Sequence, residues 1–73
     1  MSNLEKQTLE ILLKYWVQHN RDHAVEFRKW AGKAKGFGVV VHDAVLEAAQ
    51  QMDKANESLF RALESLKSQD IMR

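Results

Sequence analysis

The feature that most constrains the fold of this chain is its single break, Gly36-Phe37-Gly38, near the middle of 73 residues that include no proline. The lysines just before this break are typical of a helix C-terminus. At the other end, Ser2 with Glu5 forms the pattern of a capping box, which opens a helix. The sequence therefore predicts one domain over residues 1–73, built from a helix at about 3–35, a turn at 36–38 and a helix at about 39–68.

Mostly apolar residues recur at intervals of three and four on both sides of the break, which is the period of an amphipathic helix. The recurring positions are Leu9, Leu12, Trp16, His23, Phe27, Trp30 and Ala34, then Val41, Val45, Ala48, Met52, Leu59, Leu63 and Leu66. A turn near Phe37 folds the two stripes together, with Trp30 opposite Val45 and Trp16 opposite Leu59. We predict an all-α, antiparallel αα-hairpin.

Further apolar residues lie beside these stripes, so a lone hairpin would leave them in water. They are Leu4, Ile11 and Tyr15 on one side, and Leu13, Val17, Leu46 and Phe60 on the other. Pairing of two hairpins in a four-helix bundle would cover them, and two-fold pairing is the commonest symmetry of oligomers. We therefore expect a homodimer or another homo-oligomer.

Length and composition narrow the class of protein further. A chain of 73 residues buries only a thin core, and the absence of cysteine excludes disulfides and thiolate metal sites. The opening MSNLEKQ does not resemble a secretory signal, and no apolar run exceeds three residues. We expect a cytoplasmic protein that does not enter a membrane.

The net charge of +1 gives little long-range attraction for nucleic acid or anionic lipid. A local basic cluster consists of Arg28, Lys29, Lys33 and Lys35. We interpret these cations as favourable partners of a helix C-terminus. Binding to nucleic acid or to a membrane is therefore not predicted.

Polar rings interrupt the apolar pattern between Tyr15 and Trp30. On a helix, His19, His23 and Glu26 lie on one side, so two imidazoles and a carboxylate can converge. Histidines at i and i+4 suit zinc, and an added carboxylate also suits nickel or cobalt. We predict a divalent transition-metal site at His19 and His23, assisted by Glu26 or Asp22. Because one helix supplies too few ligands, the histidines of a second copy are expected to complete it.

The same residues also fit a structural role without metal. His23 can pack against Met52 between the helices with Asn20 in a neighbouring polar layer, and such layers set register and partner choice in helical assemblies. His42, beside Asp43, is expected at the surface. The alternative prediction is a homo-oligomeric interaction module, which could also present its helices to a larger protein.

The sequence contains no enzyme signature: it has no cysteine nucleophile and no glycine-rich phosphate-binding loop. The nearest pattern is the di-iron carboxylate motif of ferritin-like bundles. Here His23 and Glu26 run in the reverse order, and the second helix is expected to supply no inward carboxylate. We therefore predict a non-catalytic protein.

The run YWVQHNRDHAVEFRKWA, followed by a glycine-containing turn and the alanine-rich AVLEAAQQMDKANESLFRAL, resembles a family of small, uncharacterised prokaryotic helical-hairpin proteins. The resemblance covers nearly the whole chain and rests on a Trp-xx-His-Asn-xx-His-xxx-Phe-xx-Trp-Ala core. The matching residues are Trp16, His19, Asn20, His23, Phe27, Trp30 and Ala31. The resemblance implies a helical hairpin and an association with metal handling.

Overall fold

The computed structural model describes the backbone of residues 3–71 and the side chains of residues 3–69. It contains two long helices joined by a short 3₁₀ turn: α1 at Asn3–Ala34, the turn at Lys35–Phe37 and α2 at Val39–Ile71. The helices pack against each other, and the described residues include no strand, which confirms the predicted all-α class. The helix α2 continues beyond its predicted end near Ser68. Ser2, part of the expected capping box, lies outside the described residues.

The connection between the helices depends on Gly38. Its φ of 119° and ψ of 157° fall in a region that is strained for any residue with a side chain. The Gly38 amide donates to the carbonyl of Lys35 at 3.3 Å, and the Gly38 carbonyl accepts from the amide of His42 at 3.1 Å. One glycine therefore closes the 3₁₀ turn and opens α2.

The core between the helices is thin and consists of small and medium-sized side chains. The buried apolar residues are Leu13, Val17, Ala24, Ala31, Ala34, Ala49, Leu63 and Leu66. Leu13, Leu63 and Leu66 form one cluster far from the turn, and Leu9 and Leu59 pack against it. Nearer the turn the buried residues are alanines, which allow the two helix backbones to approach closely.

The face that α1 turns toward α2 differs from the predicted face. The spacing predicts Leu12, Trp16 and Trp30 at the interface, but their exposed fractions are 37%, 38% and 57%. Leu13 and Val17, which were expected to project outward, are buried. Two helices at a separation of about 8–10 Å leave no room for indole rings between them. Ala34 and Leu9 of the predicted stripe stay at the interface, so the helix is turned by less than the roughly 100° of one residue, which brings Val17, Ala24 and Ala31 to the interface.

Polar contacts between the helices hold them in antiparallel register. The side-chain amide of Asn56 donates from Nδ2 to the carbonyl of Val17 at 3.0 Å. Arg28 forms an ion pair with Asp53 on the outer edge of the same interface. Because these contacts join specific turns of α1 to specific turns of α2, sliding one helix along the other would break both of them.

His42 connects the first turn of α2 to the last turn of α1. Its Nδ1 lies 2.7 Å from the carbonyl oxygen of Ala31, and because a carbonyl only accepts hydrogen bonds, Nδ1 is the donor. The last four carbonyls of a helix have no partner within that helix, and Ala31 is one of them. The expectation of a surface position for His42 is wrong: the tight turn brings this half-buried ring against the end of α1.

The hairpin is a thin rod with extents of 55 × 17 × 15 Å. Its accessible surface is 5621 Å², whereas a compact monomer of 8.5 kDa exposes about 4,700 Å². Exposed large apolar residues, among them Ile11, Tyr15, Val25 and Phe60, contribute to this excess. No helix in the described part of the chain is long and apolar enough to cross a membrane. Pairing into a four-helix bundle stays a prediction.

Candidate metal site

The two histidines of the predicted site lie one turn apart on the outer surface of α1. The Nε2 atom of His19 is 3.0 Å from the Nε2 atom of His23. The rings meet edge to face, with centroids 4.4 Å apart and planes at 88°. Since a neutral imidazole has one donor and one acceptor nitrogen, one ring donates to the other in this arrangement.

A separation of 3.0 Å is also the separation that two nitrogen ligands of one metal ion adopt. With metal–nitrogen bonds of about 2.0–2.1 Å and angles between about 90° and 109°, the two nitrogens lie about 2.8–3.4 Å apart. The separation of the two Nε2 atoms therefore fits one shared ion. Replacing the hydrogen bond with a metal requires that the donor ring carry its proton on Nδ1 instead and that the rings turn so that both Nε2 lone pairs point at the ion.

Glu26 contacts the opposite side of the His23 ring. Its Oε1 atom lies 3.5 Å from Nδ1 of His23, and the two side chains are 62% and 38% exposed, respectively. A carboxylate at Nδ1 favours the tautomer in which Nδ1 carries the proton and Nε2 offers its lone pair. Such outer carboxylates commonly orient histidine ligands of metals. The structure thus places Glu26 as an orienting group for His23 rather than beside the two Nε2 atoms.

Asp22 lies apart from the histidine pair. Its carboxylate accepts a hydrogen bond from Nε2 of Gln18 at 2.9 Å. Among the described residues, no group of three histidine, aspartate or glutamate side chains is positioned to hold a metal ion. The arrangement within one chain is therefore a two-nitrogen site that needs further ligands.

Two more rings extend the histidine pair along α1. Tyr15 stacks on His19 with centroids 5.3 Å apart and planes at 19°, and Phe27 stacks on His23 at 5.8 Å and 28°. We call these four residues the ring column. The stacking restricts rotation of both imidazoles. The sequence indicated the ring column, because all four rings recur at intervals of four. Of these four rings, only the two histidines were predicted as metal ligands.

The neighbouring surface of α2 consists of small side chains. Ala44, Ala48, Ala55 and Ala62 are exposed, and at about 100° per residue they form one stripe. The helices are antiparallel and pack on each other through their buried faces. The alanine stripe of α2 and the ring column of α1 therefore lie on the same side of the hairpin. We call this side the ring face.

The opposite side of the hairpin carries neither His19 nor His23. It carries the ion pair of Arg28 and Asp53 and an open groove of about 330 Å³. The groove is lined by Val17, Arg21, Asp53, Asn56, Glu57 and Phe60. Asp53 and Glu57 therefore lie on the side away from the histidine pair, as the helical rotation predicts.

The family model described as Domain of unknown function (DUF8180) matches residues 9–66. This range includes the ring column, the turn and the whole alanine stripe. No curated protein and no solved structure matches the chain.

Proposed function

The chain belongs to the DUF8180 family of domains, and for it we propose a function as a non-catalytic protein that binds a divalent transition metal through His19 and His23. The observation that carries the proposal is the 3.0 Å separation of their Nε2 atoms on an accessible face of α1. Neutral imidazole suits nickel, zinc and cobalt. The protein acts in the cytoplasm under this proposal, in keeping with its lack of cysteine.

A second copy of the chain completes the site in this proposal. Two-fold pairing brings the same histidine pair from each copy to the symmetry axis, which supplies four nitrogen ligands. The ring face suits such pairing because the large rings of one copy can pack on the alanine stripe of the other. The accessible surface exceeds that of a compact monomer by roughly 900 Å², and a stable interface buries about 800 Å² per partner.

Metal titration of the protein tests the site directly. Untagged protein is purified without immobilised metal and titrated with Ni(II), Zn(II) and Co(II) in a calorimeter. We expect the His19→Ala/His23→Ala variant to bind at least about 100-fold more weakly, which is about 2.7 kcal/mol. The matched control is Asp22→Asn, which keeps a hydrogen-bond partner for Gln18 and should bind as the wild type does. Equal affinity of the wild type and the double variant would exclude the site.

The Glu26→Gln variant tests the orienting role of the carboxylate. Gln keeps the size of the side chain but removes its charge, so the His23 tautomer with a free Nε2 is less favoured. Loss of such outer groups commonly lowers metal affinity about 10–100-fold. If Glu26 has no influence on His23, the variant and the wild type will bind with the same dissociation constant and the same heat.

The second candidate function is a self-association module that needs no metal, and the exposed Tyr15 ring beside the exposed alanine stripe favours it. Light scattering with and without a chelator separates the two functions. A dimer that persists in chelator and in the His19→Ala/His23→Ala variant supports the module. Dissociation on chelation supports a metal-completed site. If the protein stays monomeric under all of these conditions, the ring face is instead a contact surface for a larger protein partner.

A further inference from the structure

The turn end of the hairpin exposes a concentrated group of apolar side chains. Phe37, Val39 and Val40 are 81%, 74% and 81% exposed, which makes them the most exposed large apolar side chains among the described residues. Leu4, at the other end of the rod, is 72% exposed. We call residues 28–41 the hairpin tip. A Cβ added at Gly36 or Gly38 would meet no other protein atom within 4 Å, so both glycines border open space at the end of the rod.

The hairpin tip is also the most basic part of the chain. It carries Arg28, Lys29, Lys33 and Lys35, and no aspartate or glutamate occurs between Glu26 and Asp43. Arg28 is paired with Asp53, which leaves the three lysines as the cations nearest the apolar group. The ammonium of Lys33 lies 4.5 Å from the centre of the exposed Trp30 ring. Basic, aromatic and aliphatic groups therefore share one end of the molecule.

We propose that the hairpin tip docks on the surface of an anionic lipid bilayer. The apolar side chains of Phe37, Val39 and Val40 enter the boundary between headgroups and acyl chains, and the lysines contact anionic headgroups. The hairpin touches the bilayer with one end and does not cross it. This docking is independent of the proposed metal site, which lies on α1 well before the turn.

The shape of the tip favours a bilayer over a protein partner. Val39, Val40 and Val41 point in directions about 100° apart, and Phe37 precedes them as the last residue of the turn. A flat helical face of another copy could cover one of these directions but not all of them. A fluid lipid interface can surround a convex apolar tip from every side.

The net charge of +1 does not oppose this docking. Electrostatic interactions are screened over about 8–10 Å at physiological ionic strength, whereas the rod is 55 Å long. Acidic residues near the far end therefore do not cancel the positive potential at the tip, and the adjacent Asp43 offsets one of its positive charges. The sequence-based expectation of no membrane contact rested on the net charge and on the interpretation of the basic cluster as partners of a helix C-terminus. The structure places that cluster at the same end of the rod as the exposed apolar side chains.

Vesicle sedimentation with the full chain tests the proposal. We expect binding to vesicles of 70% phosphatidylcholine and 30% phosphatidylserine, and much weaker binding to pure phosphatidylcholine. Phe37→Ser/Val40→Ser should lower the partition coefficient more than tenfold. Lys33→Gln/Lys35→Gln should lower it about 30-fold at low salt. Leu4→Ser is the matched control, because it removes an equally exposed apolar side chain from the other end.

Circular dichroism and light scattering on the same variants keep the result interpretable. Since all of these side chains are exposed, helix content should stay unchanged. No binding of the wild type to phosphatidylserine vesicles at low salt would overturn the proposal, as would an equal loss in the Leu4→Ser control. If the Phe37→Ser/Val40→Ser variant changes the oligomer size but not vesicle binding, the tip is a contact between copies and the proposal is wrong.

Discussion

Truncation of two adjacent leucines measures which face of α1 packs on α2. Leu13 is 4% exposed and packs in the cluster with Leu63 and Leu66, whereas Leu12 is 37% exposed. Replacing a buried leucine with alanine lowers the free energy of unfolding by about 2.7–5 kcal/mol. A domain of this length has a total of about 4–11 kcal/mol. We therefore expect Leu13→Ala to remove about a quarter or more of the stability, and Leu12→Ala to remove about 1 kcal/mol.

The assay is urea unfolding followed by circular dichroism at several protein concentrations. Concentration matters because the stability of an oligomer depends on it. The loss for Leu13→Ala should be present at every concentration, since that side chain packs within one chain. If the loss of unfolding free energy for Leu12→Ala grows with protein concentration, Leu12 lies in an interface between copies. If Leu12→Ala is the more damaging change at the lowest concentration, the packing face described above is wrong.

Further predictions concern the polar contacts between the helices. Asn56→Asp should lower the free energy of unfolding by about 2 kcal/mol or more at neutral pH, because a carboxylate cannot donate to the Val17 carbonyl. The buried Oδ1 of Asn56 also has no partner among the described residues. Asn56→Leu, which buries no polar atom, should be less destabilising in the same urea assay. A double-mutant cycle of Arg28→Ala and Asp53→Ala should give a coupling of about 0.2–1 kcal/mol that decreases with added salt, since both side chains are about half exposed; a coupling that salt does not change would contradict it. Thermal unfolding of His42→Ala should show a loss of about 1 kcal/mol from the bond to the α1 terminus, and an unchanged midpoint would show that the ring does not cap α1.

The candidate site was partly predictable from sequence. The interval of four residues between His19 and His23 places both rings on one side of any helix, whatever that helix packs against. The part played by Glu26 was not predictable, because the same interval is compatible with contact at either nitrogen of His23. That choice depends on side-chain rotamers, and in the structure the carboxylate lies at Nδ1. The role of His42 was missed because its partner, the carbonyl of Ala31, is a backbone group that no sequence pattern marks.

The sequence by itself determined that the chain forms two long helices that fold back on each other. The absence of proline, the apolar periods of three and four, and the glycines around Phe37 are local properties, and they act before any tertiary contact forms. Only the tertiary structure decided which side of α1 faces α2. Apolar residues on that helix are not confined to one stripe, so periodicity allowed two faces. Close approach of the backbones selected the face with Val17, Ala24 and Ala31 and left Trp16 and the ring column outside, because small side chains permit the closest packing of the helices.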